Sequence, residues 1–484
     1  MTEAQTLLFI FSDEHTRDIA GAYGNGLVKT PHLDALAARG TRFDAAYCNC
    51  PICVPSRASL ATGRHVYEIG CWDNANPYTG VPEGWGHRLI ATGHDVAAIG
   101  KLHYRSAQDP TGFSEQIETL HVVEGVGDLL GLLRRDPPHR GNAKQLAAEA
   151  GPGESTYTKY DRSILANASN WLRARAAAPP DKPWLLFVGF VLPHFPLISP
   201  PEFFAMYPPD EMPAPRMYGQ DERPNHPVLD RLRQCLNYDD YFDERKMRIA
   251  LSAYFGMVSF LDHNIGQLMQ VLEETGLSKN TRIVYTSDHG DNLGNRGLWG
   301  KSVMYEESVA VPLIMAGKGI PEGKAVATPV SLVDLGPTFV EALGEKPAAA
   351  DATLPGRSLF EIIEQEPADR VVLSEYHAVG SIAGTYMLRK GRWKYVYYVG
   401  HVPQLFDLEA DPHETNDLGL DPAHAAVRDE MEAELRRILD PEAVDERAFA
   451  DQEAMIARHG GVAAIMARGD FGYTPAPGQK PVFG

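Results

Sequence analysis

Five short apolar runs, each cut off by a polar or glycine-bearing turn, constrain the fold of this chain more than any other feature. They are TLLFIFSDEH (6–15), HDVAAIGKLHY (94–104), PWLLFVGFVLPH (183–194), TRIVYTSDHG (281–290) and VPLIMAG (311–317). Runs so short and so continuous are expected to be strands buried on both faces, as in a parallel sheet. Helical patterns lie between them. TPHLDALAARG (30–40) offers a Thr cap, Pro in the first turn and a closing Gly, and residues 247–276 carry a long apolar periodicity that ends at a Gly. Strands alternating with helices predict an α/β fold: a large mixed, mostly parallel sheet sandwiched by helices.

The pattern changes after about residue 350. Residues 383–400 alternate and turn at RKGR, which predicts an antiparallel hairpin. DLEADPHETNDLG is a turn-rich loop, and Ala423 to Leu439 is an amphipathic helix rich in Glu and Arg. The expected division is a catalytic α/β domain over 1–360, a smaller α+β subdomain on an antiparallel sheet over 361–465, and a Pro/Gly-rich tail over 466–484. That tail cannot form a core alone and is expected to lie across this subunit or a partner. Segments 105–160 and 198–245 read as substrate-side insertions.

Composition narrows the function. Charged residues make up 23% of the 484, and 45 Lys+Arg against 64 Asp+Glu leave a net charge of −19. That balance argues against nucleic-acid binding, which needs clustered positive charge. It leaves open an anionic small molecule, whose field is set by a few cations in a cleft. The apolar run at Leu7 to Phe11 is too short for a signal peptide and has no basic flank. No stretch reaches the roughly 18 to 20 apolar residues of a membrane span. The expectation is a cytoplasmic enzyme, away from the membrane, with reduced cysteines.

In parallel sheets ligands sit at the carboxyl ends of the strands. Four of the five runs end in residues able to do chemistry: Asp13, Glu14 and His15; Lys101 and His103; His194; Asp288 and His289. One such end is ordinarily a capping or solvated residue; four in the same topological place point to a site. A further candidate is CNCPICVPSRASLATGRH (48–65), which holds three of the five cysteines. Cys50 and Cys53 have C-x2-C spacing, yet no second pair completes a zinc site and no thioredoxin-like context surrounds them. Cys48, Cys50, Cys71 and Cys235 are read as inert thiols. Cys53 precedes Pro55, Ser56 and Arg57 at a predicted helix start, a natural anion site with a fixed guanidinium.

Cys53-Val54-Pro55-Ser56-Arg57 resembles the C-x-P-S-R signature of the type I sulfatases, members of the alkaline phosphatase superfamily. FSDEH, GKLH, PHFP, SDHGDNLG with its downstream Lys301, and QLFDLEADPHE resemble that family in order along the chain. The resemblance implies that Cys53 is oxidised to Cα-formylglycine by a maturation enzyme. It also implies one divalent metal ion, Ca2+ or Mn2+ ahead of Mg2+, held by Asp13, Asp288, His289, the modified residue 53 and, as a further candidate, Glu14. Lys101 would hold sulfate oxygens and His103 would act as base on the hydrated aldehyde. His194 and Lys301 would bind the ester oxygen and assist the leaving group, Arg57 would neutralise charge, and Asn74 would contact sulfate.

The implied reaction is hydrolysis of a small sulfate monoester through a gem-diol nucleophile and a covalent sulfo-enzyme intermediate, in a homo-oligomer (dimer or tetramer). Asp13-Glu14 and Asp288-His289 depart from the Asp-Asp and Asp-Asn pairs of many arylsulfatases. The second departure resembles the choline-sulfatase and phosphonate monoester hydrolase branch. A phosphonate monoester or phosphodiester hydrolase is therefore the rival activity, disfavoured by the Lys101/His103 pair. Choline-O-sulfate is the specific candidate substrate and arylsulfates the broad one. Trp72 and Tyr78 could face a ring or a quaternary ammonium, but core packing is their expected role.

Overall fold

The computed structural model describes residues 3–483. Eight segments pair into one sheet: β1 (Thr6–Asp13), β2 (Gly40–Phe43), β3 (Val96–Lys101), β4 (Glu115–Leu120), β5 (Leu185–Pro193), β6 (Thr281–Ser287), β7 (Leu313–Ala316) and β8 (Lys324–Val326). Their order across the sheet is β8-β2-β7-β6-β1-β5-β3-β4. All five apolar runs of the sequence lie in it. One correction concerns VPLIMAG: β7 pairs antiparallel with both β2 and β6, whereas the other pairings are parallel. It is also the one run whose end carries no chemistry, and its reversed direction sends that end to the opposite edge.

Both faces of the central strands are covered, which is why the runs are continuous rather than alternating. Leu7, Phe9 and Phe11 enter one core, and Leu8 and Ile10 enter the other. The second core is closed by α3 (Thr156–Ala177) and α4 (Glu244–Glu274), after α1 (Pro31–Ala38) and α2 (Cys53–Thr62) earlier in the chain. Helix α2 packs into the first core through Ala58, Leu60 and Ala61.

The helix expected over 30–40 forms as α1, with Thr30 at the N-cap position and Pro31 in the first turn as expected, but with a different capping bond and a different C-terminal end. The Thr30 hydroxyl donates to Asp34 and accepts the Gly21 N–H instead of capping. Asp262 of α4 takes the cap's place and accepts from the N–H groups of His32 and Leu33. Gly40 does not close the helix; it opens β2, where a Cβ would fall 2.1 Å from the Met315 carbonyl oxygen.

The second sheet is antiparallel: β9 (Val371–Tyr376), β10 (Thr385–Lys390), β11 (Trp393–Tyr398) and β12 (Gln404–Asp407) in sequence order. The expected hairpin is β10–β11, turning at Gly391. Tyr386, Leu388 and Tyr395 join the same core as Phe9. Three helices follow, α5 (Ala425–Ile438), α6 (Pro441–Arg458) and α7 (Gly461–Arg468), of which only the first was legible as a helix. Among the described residues no helix is long and apolar enough to cross a membrane.

Candidate active site

Parallel strands deliver their carboxyl ends to one edge, and two of them change register just before the chemistry begins. The β1–β5 pairing shifts between Phe11 and Asp13, and the β3–β4 pairing shifts between Ile99 and Lys101. Such irregularities re-aim side chains at the rim of a sheet. Gly100 makes the second shift possible: its φ is 95°, and a Cβ there would lie 2.3 Å from the Gly189 carbonyl oxygen. Glu14 and His103 also adopt left-handed backbone, with φ of 67° and 61°. Non-glycine residues in that region concentrate where the surroundings over-determine a functional geometry.

Helix α2 meets this edge end-on. It begins at Cys53 itself, two residues before the Pro55 start expected from sequence. Asn74 caps it, its Oδ1 accepting the Val54 N–H at 3.1 Å. Pro55 has no N–H to leave unsatisfied in the first turn. The Ser56 hydroxyl donates to the Asp288 carbonyl at 2.7 Å, tying the helix start to the end of β6.

The Cys53 sulfur therefore sits among groups from two strand ends and the loop that follows β6. It lies 3.1 Å from His289 Nε2, 3.5 Å from Lys301 Nζ and 3.6 Å from Asp13 Oδ1. His289 Nδ1 is 3.0 Å from the Gly290 carbonyl, which fixes the ring with Nδ1–H donating and Nε2 turned to the cluster. Asp13, Cys53, Asp288 and His289 present ligand atoms all within 4.8 Å of one another, and every one is buried. Asp13, Glu14 and His194 form an overlapping group of the same kind.

Three cations balance the three carboxylates. Arg57 donates from Nε to Asp288 (2.8 Å), from Nη2 to Asp13 (3.0 Å) and from Nη1 to the Lys101 carbonyl (2.9 Å). Its guanidinium also lies over the Phe11 ring. Lys101 Nζ reaches Asp13 at 2.5 Å, and Lys301 Nζ reaches Glu14 at 2.9 Å. Burial works against the Asp13 charge, but Lys101, His194, Arg57 and His289 hold its carboxyl well below the ordinary range. Glu14 has less compensation, and burial pushes it up to about 8. Burial likewise opposes the Lys301 charge, yet Cys53, Glu14 and Asp13 keep its ammonium above the ordinary lysine range. Burial, then the nearby lysines, holds His194 well below the ordinary histidine value; burial with Lys101 and Arg57 does the same to His103. Burial and Asp13 raise the Cys53 thiol to about 11, the opposite of an activated thiolate.

A cavity of about 130 Å3 opens over the cluster. Cys53, Asn74, Lys101, His103, His194 and Lys301 line it. Asp13, Glu14, Asp288 and His289 lie at its base, against Cys53 and the lysines. The candidate catalytic, substrate and metal residues are thus brought to one place, although Arg57 stands behind the carboxylates and does not line the cavity; His15 lies apart, its ring nitrogens bonded to the Tyr285 hydroxyl and the Ile19 carbonyl. Cys48 and Cys50 are buried free thiols, and Cys71 is free and half-buried. Trp72 and Tyr78 are core residues, the Trp72 indole donating to Asp451.

Sequence inspection missed several wall residues. Asp291 lines the cavity, and its Oδ1 accepts the N–H groups of Leu293 and Gly300, holding the loop that carries Lys301. Its position in SDHGDNLG was the available signal. Tyr157, Phe195 and Tyr238 add aromatic rings to the cavity wall, and Asp470 to Thr474 approach from the tail.

A doubly covered parallel sheet with a buried carboxylate–imidazole–cation cluster at its carboxyl edge defines an alkaline phosphatase-like enzyme. The chain belongs to the sulfatase family and is a sulfuric ester hydrolase: residues 5–345 match the family's sulfatase model, and residues 294–440 match that of the N-sulphoglucosamine sulphohydrolase C-terminal region. It is 33% identical over 401 residues to the choline-sulfatase of Rhizobium meliloti, spanning 81% of this chain and 78% of that protein. It is 29% identical over 464 residues to arylsulfatase K of Bos taurus, spanning 90% and 82%. In fold it resembles the phosphonate monoester hydrolase of Agrobacterium radiobacter, with a TM-score of 0.73 at 23% identity, covering 92% of this chain and 96% of that one.

Proposed function

We propose that the chain hydrolyses sulfate monoesters of small alcohols, using a formylglycine made from Cys53 and one divalent cation. The observation that carries this is the place of Cys53: first residue of a buried helix, its sulfur within 3.1 to 3.6 Å of His289, Lys301 and Asp13. That sulfur stands in for the oxygen of a hydrated aldehyde. The donor set fits a cation: two carboxylates and an imidazole converge, and the buried Glu14 Oε1 has no hydrogen-bond partner. Asp13, Asp288 and His289 would hold it, with Glu14 beside them, and oxygen-rich donors suit Ca2+, Mn2+ or Mg2+. Such an ion supplies positive charge to the sulfate and acidity to the attacking hydroxyl. The aldehyde, once hydrated by water to a gem-diol, would supply a nucleophilic hydroxyl together with a second one whose deprotonation re-forms the carbonyl and releases sulfate.

The remaining work falls to this chain's own side chains. Lys101 and Lys301 stand at the cavity floor, where they neutralise sulfate oxygens as charge develops, usually the largest contribution to such a reaction. Lys301 and His194 both approach Glu14, and the Lys301 ammonium, which stays protonated, would donate to the departing alcohol oxygen beside His194. General-acid assistance of this kind contributes about 10²–10⁴-fold. His103 accepts the proton that frees the product. Arg57 holds Asp13 and Asp288 in place and does not touch substrate.

The small cavity and its aromatic wall favour a compact alcohol. Aryl esters are the broad class, and choline-O-sulfate, whose trimethylammonium would face those rings, is the specific one. The test compares kcat/KM for choline sulfate, an aryl sulfate and an aryl phosphonate on one preparation. Either sulfate is expected to exceed the phosphonate; a phosphonate preference would overturn the proposal.

A further inference from the structure

The chain returns to the active site after α7. Asp470 to Thr474 line the cavity as a strap. Two fastenings hold it. Buried Arg140 donates to both oxygens of Asp470 and to both oxygens of Asp128, clamping the strap to the 128–140 segment. The Tyr157 hydroxyl donates to the Thr474 carbonyl. These bonds leave the Thr474 side chain free to act, and its Oγ1 sits 2.9 Å from His103 Nε2.

His103 needs such a partner. It follows Lys101 on left-handed backbone and is buried, with only 6% of its surface exposed. Its N–H donates to the Leu120 carbonyl, which fixes the main chain but not the ring. The ring has one other polar atom, Nδ1, and that buried nitrogen has no partner in the protein. A histidine held at one nitrogen and unpaired at the other is oriented by the first and available through the second.

We propose that Thr474 is a positioning residue for the hydrolysis. Its hydroxyl anchors Nε2 and leaves Nδ1 for the reacting group, so the catalytic site is completed by the C-terminal strap. The inference rests on the proton-accepting role given to His103 above. It goes beyond that role by assigning the partner that anchors the ring and a function to the tail.

The test uses the full-length enzyme and steady-state kinetics with an aryl sulfate. Thr474→Val keeps the shape and removes the hydroxyl; Thr474→Ser keeps the hydroxyl. Thr474→Val is expected to lower kcat about 10- to 100-fold, the cost of a misplaced catalytic group, with KM within about twofold. Thr474→Ser should recover kcat to within about threefold of wild type. In a His103→Asn background, adding Thr474→Val should change kcat by less than about twofold, because residues acting through one another are not additive. Wild-type kcat in Thr474→Val, equal losses in the Val and Ser variants, or the same loss with and without His103 would each overturn the inference. If His103→Asn itself retains wild-type kcat, the role of His103 fails, and that failure is seen without reference to Thr474. Should Thr474→Val lower the melting temperature, Thr474→Ala repeats the comparison, with Ser rescue deciding in the same way.

Discussion

Replacing Arg57 by lysine keeps the charge and removes the fork. The guanidinium is 1% exposed and makes three directed bonds, to Asp288, to Asp13 and to the Lys101 carbonyl. A lysine ammonium is a single point on a flexible stem and can satisfy one of the two carboxylates at most. The other carboxylate bond and the carbonyl bond are then lost. Hydrogen bonds to charged groups contribute about 1.5–3 kcal/mol each, so roughly 3–6 kcal/mol divides between folding stability and the fixing of Asp13 and Asp288. Loss of an outer partner that orients metal-binding carboxylates typically costs about 10–100-fold in affinity or activity. Calorimetric titration of metal-depleted Arg57→Lys with Mn2+ should show a fall in affinity of that order, and kcat/KM at saturating metal should fall at least as far. A variant with wild-type Mn2+ affinity and wild-type kcat/KM would refute the account of Arg57 as the part that holds the carboxylates.

Dialysis against a chelator should abolish sulfate hydrolysis, and Mn2+ or Ca2+ should restore it; full activity in demonstrably metal-free protein would remove the cation from the mechanism. Asp161 accepts the N–H groups of Val191 and Leu192, and burial pushes its carboxyl up to about 7 from an ordinary 3.8. The folded state then keeps a proton that the unfolded chain releases, so this group's contribution to stability is present below about 3.8 and is lost as pH rises towards 7. Asp161→Asn should flatten the dependence of melting temperature on pH between about 4 and 7, and an unchanged slope would contradict the assignment. Asp262→Ala removes the acceptor for two N–H groups of α1 and should destabilise the protein by about 0.5–2 kcal/mol in denaturant titration.

The residues at the strand ends were legible because parallel strands bring every carboxyl end to one edge, so Asp13, Lys101, His194 and Asp288 could be grouped without knowing the order of the strands. The direction of β7 was not legible: its apolar run reads the same either way, and only pairing with β2 and β6 decides it. GTRF and KAV are too short to carry a period, so β2 and β8 stayed hidden. Arg57 was expected to neutralise charge; which side of α2 faces the carboxylates depends on how the helix docks, not on its sequence. Thr474 lies 371 positions from His103 in a segment without apolar rhythm, and no spacing rule connects them. The sequence motifs thus marked the floor of the site, while the rest of its wall is a product of tertiary structure.

The central claim is that Cys53 acts as an aldehyde. Mass spectrometry of the proteolytic peptide spanning Cys53, on protein of measured sulfatase activity, tests it most directly. The account predicts the mass of formylglycine at residue 53 in a fraction that rises and falls with specific activity, and no activity in Cys53→Ala. A fully active preparation in which residue 53 remains a thiol, or an active Cys53→Ala variant, would contradict it.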